Sequence, residues 1–118
     1  MVMSKIIRIF AAEMEQAQVI QRIADLGNRI LPEGASLWLY GSRARGNARP
    51  DSDYDLLVLI DKDTLTASDY DKYNYPLFEL GLDLNEDISP RIFTKKQWES
   101  WTYDPFYKNV ERDKIVVR

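Results

Sequence analysis

The segment from Tyr54 to Ile60, YDLLVLI, constrains the fold most because its apolar residues are nearly continuous. A strand with one wet face alternates apolar and polar residues, whereas a strand covered on both faces does not. The segment therefore predicts a strand in a sheet that is covered on both faces. A second apolar run, SLWLY at residues 36–40, ends at Gly41 and predicts a buried strand that stops at a tight turn.

Helical and extended patterns alternate along the rest of the chain. Helices are predicted at residues 13–31, 68–80, 95–102 and 105–112, and further strands at residues 87–94 and 115–117. Residues 6–10 fit either a short strand or extra turns of the first helix. This order favours an α/β or α+β fold, in which helices cover a small sheet, with a single domain over residues 1–118.

Four residues mark predicted boundaries. Ser68 is a plausible N-cap for the helix at residues 68–80 and Gly81 lies just past its end, although Pro76 should break or kink it. Pro90 has no N–H to donate within the strand at residues 87–94. That strand is therefore predicted to lie at a sheet edge or to contain a bulge.

Composition excludes several kinds of chemistry. The 118 residues contain no Cys and no His, which excludes disulfides, thiol nucleophiles, imidazole bases and zinc fingers. The net charge of −3 argues against a long nucleic acid as the main ligand, though not against a nucleotide. Because no apolar run is long enough to span a membrane and no signal peptide is evident, we expect a cytoplasmic protein.

The stretch from residue 37 to residue 60 carries the clearest functional pattern. Gly41 can adopt backbone angles that turn amide N–H groups toward an anion, and Ser42 can begin a short helix that cradles phosphate. Asp53 and Asp55 open the next strand and point to the same face, where paired carboxylates can hold Mg²⁺. Either motif alone is weak, since G-S is a common turn and D-x-D a common strand end, but together they predict an active site.

This spacing of G-S, ten residues and D-x-D resembles the signature of the nucleotidyltransferase superfamily related to DNA polymerase β. The short chain is most similar to the minimal nucleotidyltransferases, called MNT proteins. The resemblance implies a mixed sheet flanked by helices, in the manner of the polymerase β palm. It also implies that Gly41 and Ser42 bind nucleotide phosphates, that Asp53 and Asp55 bind metal, and that the protein uses ATP or another NTP with two Mg²⁺ ions.

Active members of that superfamily usually add a third carboxylate from a later strand. Asp83, Glu86 and Asp87 are the candidates, and Asp87 is preferred because it begins an apolar run. An adjacent antiparallel strand could place Asp87 beside Asp53 and Asp55 as a catalytic residue and metal ligand. A solvated acid at a strand start is the alternative for Asp87.

Arginines after the G-S motif are candidates for binding the triphosphate. Arg43 and Arg45 follow Ser42 closely and could contact the nucleotide, since Arg forms bidentate contacts with phosphate. For both arginines, an exposed position on the helix, where the charge balances nearby acids, is an equally favoured alternative to phosphate binding. Arg91 shares a predicted face with Asp87, and structural pairing is favoured for it. The aromatic residues between Trp98 and Tyr107 are expected to pack in the core, with a partner surface as the alternative.

The resemblance also implies a function. A chain of this size barely builds the nucleotide half of a transferase, so a separate protein must present the acceptor. MNT proteins pair with helical HEPN toxins, which they neutralise by transferring AMP, and this antitoxin role is the favoured expectation. An aminoglycoside-like small-molecule transferase and an inactive binding subunit are the alternatives. A homodimer is expected only from the frequency of twofold oligomers.

Overall fold

A small mixed sheet organises the protein. A computed structural model describes the backbone of residues 2–118 and the side chains of residues 4–118. In these residues, four strands, β1 (Ser36–Tyr40), β2 (Tyr54–Ile60), β3 (Ile88–Thr94) and β4 (Ile115–Val116), form one sheet in the order β3-β2-β1-β4. β1 is antiparallel to β2 and to β4, whereas β2 and β3 are parallel. The predicted α/β (α+β) class, a small mixed sheet flanked by helices, is confirmed.

The helices follow the predicted order with changed boundaries. They are α1 (Val2–Ile30), α2 (Ser42–Arg45), α3 (Ala67–Asp69), α4 (Tyr75–Leu84), α5 (Lys95–Glu99) and α6 (Pro105–Asp113), and a π-helical turn (Tyr70–Asn74) joins α3 to α4. Residues 6–10, which the sequence left open between strand and helix, belong to α1. Within residues 2–118 no helix is long and apolar enough to cross a membrane.

The predicted helix at residues 68–80 is divided into three pieces. Its N-cap is Thr66 rather than Ser68, because Thr66 and Asp69 form a reciprocal capping box. Pro76 lies in the first turn of α4, where a missing N–H costs no intrahelical hydrogen bond. The π-helical turn before Pro76 therefore takes the place of the expected kink.

Gly81 lies inside α4 rather than after it. A Cβ at this position would lie 2.6 Å from the carbonyl oxygen of Glu86, so the close backbone approach explains the glycine. Asn85 ends α4 instead, with φ at +54° in the left-handed region.

The expected antiparallel placement of the strand at residues 87–94 is wrong. The segment containing α3 and α4 crosses over the sheet and returns the chain to the end where β2 begins, so β3 runs parallel to β2. The prediction that Pro90 marks an edge strand is confirmed, because β3 is the outermost strand. The parallel register still places Asp87 next to Asp53, one pair before Tyr54 and Ile88.

Two apolar clusters cover the two faces of the sheet. On one face, α1 and α4 pack Ile23 and Leu77 onto Tyr54, Leu56 and neighbouring strand residues. On the other face, α5 and α6 carry the aromatic stretch, which packs onto β1 and β2. The expectation of core packing for this stretch is confirmed for most of its members, although Tyr103 is exposed. This arrangement explains the continuous apolar pattern of β2.

Candidate active site

The two predicted metal ligands lie at the start of β2. Asp55 is the second residue of β2, and the alternation of the strand directs it toward the side of α5 and α6. Asp53 directly precedes the strand and is close enough for its charge to act on Asp55. Tyr54 points the opposite way and is buried in the other core. Asp55 is paired across the sheet with Tyr40 on β1 and with Ser89 on β3.

Gly41 directly contacts Asp55. Its φ is +74°, in the left-handed region, and a Cβ at this position would overlap the Oδ2 atom of Asp55. Both facts require glycine here, since an L side chain would meet backbone strain and a carboxylate at once. The G-S corner and the D-x-D pair, separated by ten residues in sequence, therefore meet in space as predicted.

Ser42 starts the single turn of α2 immediately after this contact. The N–H groups of Ala44 and Arg45 both donate to the carbonyl oxygen of Gly41, at 3.1 and 3.0 Å. Gly46 ends the turn in the left-handed conformation, with its N–H donating to the oxygen of Ser42. This turn holds the Ser42 hydroxyl within one residue of the Gly41–Asp55 contact.

Arg43 has a different role from the expected phosphate contact. Its guanidinium donates to the carbonyl oxygens of Pro50 and Ser52 and to the side chain of Gln16. It also lies 4.3 Å from the ring centre of Tyr54, on the face opposite the carboxylates. Because Arg43 is buried and its donors are occupied, it positions the loop that delivers Asp53.

Arg45 and Arg91 supply positive charge near Asp55. Arg45 is about half exposed and donates to Asp113 at 3.3 Å. Arg91, on the same face of β3 as Ser89, lies 5.5 Å from the ring centre of Phe106. The sequence favours structural pairing for Arg91, and this aromatic contact is the pairing that the structure shows.

The three candidate acids for a third carboxylate lie in different places. Asp83 is exposed on α4, whereas Glu86 and Asp87 precede β3. Asp87 is the closest of these to the site by strand register, since its carbonyl accepts from the N–H of Tyr54 at 2.8 Å. In residues 2–118, however, no three acidic side chains gather closely enough to share one metal ion. Ser89, which sequence analysis did not single out, occupies the β3 position paired with Asp55.

Burial and like charge act together on Asp55. Its pKa is raised above the usual range, first by burial and then by the neighbouring carboxylate of Asp53, while Arg91 and Arg45 oppose the shift. The hydroxyl of Tyr40 interacts with the carboxyl of Asp55. The pKa of Tyr40 is raised above its usual value, first by burial and then by the charge of Asp55, while Arg91 opposes the shift. Tyr40 and Arg91 thus lie close enough to Asp55 to interact with its carboxyl, and Tyr40 is revealed only by the pairing of β1 with β2.

Comparisons with known proteins agree with this geometry. The family model described as a nucleotidyltransferase domain matches residues 18–117. The chain belongs to the nucleotidyltransferase family. The match covers α2, β2 and the crossover to β3, and so includes every candidate site residue.

Solved structures share the fold of this chain. One, a crystal structure of a toxin–antitoxin with AMP-PNP, aligns with 20% sequence identity and a TM-score of 0.60. The alignment covers 84% of this chain and 72% of the other. A search of curated proteins gives no match.

The donor set of this nucleotidyltransferase suits a hard divalent cation. Asp53 and Asp55 are carboxylates close enough for one to raise the pKa of the other. A cation between them would relieve that repulsion, and Mg²⁺ is commonly bound by one or two carboxylates together with substrate phosphates. Asp53 and Asp55 would therefore hold the ion, and Asp87 is the nearest further carboxylate by register.

Proposed function

We propose that this nucleotidyltransferase transfers a nucleoside monophosphate, AMP from ATP, to a hydroxyl on a partner protein and acts as an MNT-type antitoxin. The observation that carries the proposal is the contact between Gly41 and Asp55. It brings together the turn to which we assign phosphate binding and the carboxylates to which we assign the metal. The toxin–antitoxin complex among the similar structures supports a protein acceptor. Its HEPN identity is implied only by the sequence resemblance.

Each group has a defined role in the proposed reaction. Gly41, Ser42 and Arg45 bind the β- and γ-phosphates, Asp53 and Asp55 hold the metal, and Asp87 is the nearest further carboxylate by strand register. Bound Mg²⁺ would neutralise the phosphate charge and align the α-phosphate for in-line displacement. The acceptor oxygen forms a bond to the α-phosphorus, the bond to the bridging oxygen breaks, pyrophosphate leaves, and the hydroxyl proton passes to water. Arg43 acts indirectly, by holding the loop before Asp53.

A label-transfer experiment tests this proposal. The protein is incubated with ATP labelled on the α-phosphate, Mg²⁺ and the product of the adjacent reading frame. We expect covalent label on that product with the wild type, and a loss of at least 100-fold in rate with Asp53→Asn and Asp55→Asn together. Equal labelling by this double variant would contradict the assigned metal ligands.

An inactive binding subunit is the second candidate, and one observation favours it. The β3 position paired with Asp55 carries Ser89 rather than a carboxylate. A subunit of this kind would bind the partner tightly and transfer no label to it. The same experiment separates the two candidates, because copurification of an unlabelled complex supports the binding subunit and excludes transfer to that partner.

A further inference from the structure

A groove lies beside the candidate active site, along the β3 side. It has a volume of about 750 Å³ and extends from Asp53 to the π-helical turn and α4. Asp87 and Ser89 also line it. Of the two proposed metal ligands, Asp53 lines the groove and Asp55 does not. The groove lies on the β3 side of the sheet, away from Gly41 and β1.

The charge of this groove is strongly one-sided. Asp53, Asp71, Glu86 and Asp87 line it, and no Lys or Arg does so among the described residues. Asp53 is assigned to the metal in the proposed function, so Asp71, Glu86 and Asp87 are the carboxylates left to repel a triphosphate and to attract a cationic group of a partner. The opposite side of Asp55 carries Arg45 and the glycine turn, which suit the phosphates.

Reaction geometry assigns the two sides to different reactants. In an in-line displacement, the nucleophile enters opposite the leaving group. Pyrophosphate leaves toward Gly41 and Arg45 in the proposed function, so the acceptor enters from β3. This step depends on the proposed function, because it takes the glycine turn as the phosphate side.

The remaining groove wall is apolar and exposed. Tyr70, Tyr75, Phe78 and Leu82 are 48%, 53%, 45% and 66% exposed and lie on the π-helical turn and α4. The rings of Tyr75 and Phe78 are 6.1 Å apart. Exposed aromatic side chains grouped in this way are typical of protein-binding surfaces.

Local contacts hold this wall in place without an occupant. The Asp69 carboxylate accepts hydrogen bonds from the N–H of Thr66 and from Lys62, each at 2.8 Å, at the start of the segment. Pro76 fixes the backbone at the start of α4, directly after Tyr75. The side of the groove formed by the π-helical turn and α4 is therefore already ordered before a ligand binds.

We propose that this groove binds a basic polypeptide segment of the acceptor, and that a hydroxyl side chain of the segment reaches Asp53 and Asp55 from the β3 side. The carboxylates select the positive charge of the segment. The exposed rings contact its apolar side chains, which a small cation would not require. The groove thus sets acceptor specificity, while the glycine turn binds the nucleotide.

Peptide binding tests the proposal without requiring catalysis. Three fluorescein-labelled peptides of 15 residues carry one central Tyr flanked by Arg and Lys, by Gln or by Glu, with the other residues identical. Fluorescence anisotropy is measured on the full chain without nucleotide. We expect the basic peptide to bind at least tenfold more tightly than the Gln peptide and the Glu peptide to bind least. Equal affinities for the three peptides would overturn the proposal.

Matched charge reversals locate the binding surface. Asp71→Lys, in the groove, should weaken binding of the basic peptide at least fivefold, and Asp71→Asn should weaken it less. Glu79→Lys makes the same charge change at an exposed α4 position outside the groove and should leave the affinity within twofold. Circular dichroism melting confirms that each variant is folded. Equal effects of Asp71→Lys and Glu79→Lys would overturn the assignment to the groove.

Two further measurements separate the possible failures. Calorimetric titration with ATP and Mg²⁺ tests the nucleotide side alone, and Asp71→Lys should retain the wild-type affinity. If ATP binds but peptide charge has no effect, the groove proposal fails while the proposed function stands. Kanamycin tests a small polycation as the occupant. The polypeptide assignment is wrong if kanamycin displaces the basic peptide at micromolar concentration and the Gln peptide binds as tightly as the basic peptide.

Discussion

At the scale of single residues, the site depends on how closely Gly41 approaches Asp55. The sequence predicted that Gly41, Ser42, Asp53 and Asp55 converge, because strand ends and side-chain alternation are local properties. It could not predict the burial of Arg43, since stacking on the ring of Tyr54 depends on the path of the intervening loop.

Replacement of Gly41 tests this approach. We expect Gly41→Ala to abolish ATP binding and to lower the free energy of unfolding by about 1–3 kcal/mol, since it adds a clash with Asp55 to backbone strain. Gly46→Ala is the matched control, because its φ is +79° but no atom lies within 4 Å of the added Cβ. Urea unfolding and ATP titration of both variants check the prediction. Equal losses in the two would show that the contact with Asp55 is unimportant.

The burial of Asp55 leads to a second prediction. Because its pKa is raised in the folded state, its ionised form costs stability at neutral pH, and that cost disappears as the pH falls through the raised pKa. Asp55→Asn should therefore raise the free energy of unfolding at pH 7, by less than about 1 kcal/mol after solvent screening. Urea unfolding at pH 7 and pH 3.5 measures this gain, and a larger gain at pH 3.5 would contradict it.

At the scale of elements, the crossover from β2 to β3 was the hardest part to predict. Pro90 correctly predicts an edge strand. Whether β3 runs parallel or antiparallel to β2, however, depends on which end of the sheet the α3–α4 segment reaches. Gly81 was mistaken for a helix stop because the approach of the Glu86 backbone is a tertiary contact. The π-helical turn has no simple signal in the sequence.

The Asp69 cap of this crossover should depend on pH. Hydrogen bonds from Lys62 and the Thr66 N–H hold the pKa of Asp69 below its usual range. This stabilisation is present above the unfolded pKa and is lost as the pH falls through the lower folded pKa. Urea unfolding should show Asp69→Asn less stable than the wild type at pH 7, with a smaller difference at pH 3. Asp83 is exposed, so Asp83→Asn should have the same free energy of unfolding as the wild type at both pH values. An equal loss of stability in Asp69→Asn at pH 7 and at pH 3 would contradict the prediction.

At the scale of the whole molecule, the sheet separates two apolar cores, and each core supports a different part of the candidate site. The core with α1 and α4 fixes the groove wall, whereas α5 and α6 cover the face that carries Asp55. Composition predicted that the aromatic stretch is core, but which face it covers depends on chain connectivity.

Trp98 is the centre of the second core and tests its importance. It is 2% exposed, its ring packs edge-on against Trp38, and its Nε1 donates to Glu111 at 2.9 Å. Trp98→Ala should lower the free energy of unfolding by about 3–5 kcal/mol. Tyr103→Ala, at a residue that is 90% exposed, should change it by less than about 0.5 kcal/mol. Similar losses in the two variants, measured by urea unfolding, would contradict this account of the core.

The most direct test of the account is magnesium-dependent ATP binding measured by titration calorimetry. The wild type should bind ATP with Mg²⁺ and lose most of its affinity when EDTA removes the metal. Asp53→Asn with Asp55→Asn should abolish binding, whereas Asp61→Asn with Asp63→Asn, the same spacing at the opposite end of β2, should not. Unchanged affinity in the first pair, or equal losses in both pairs, would contradict the claim that the glycine turn and the two aspartates form one nucleotide site.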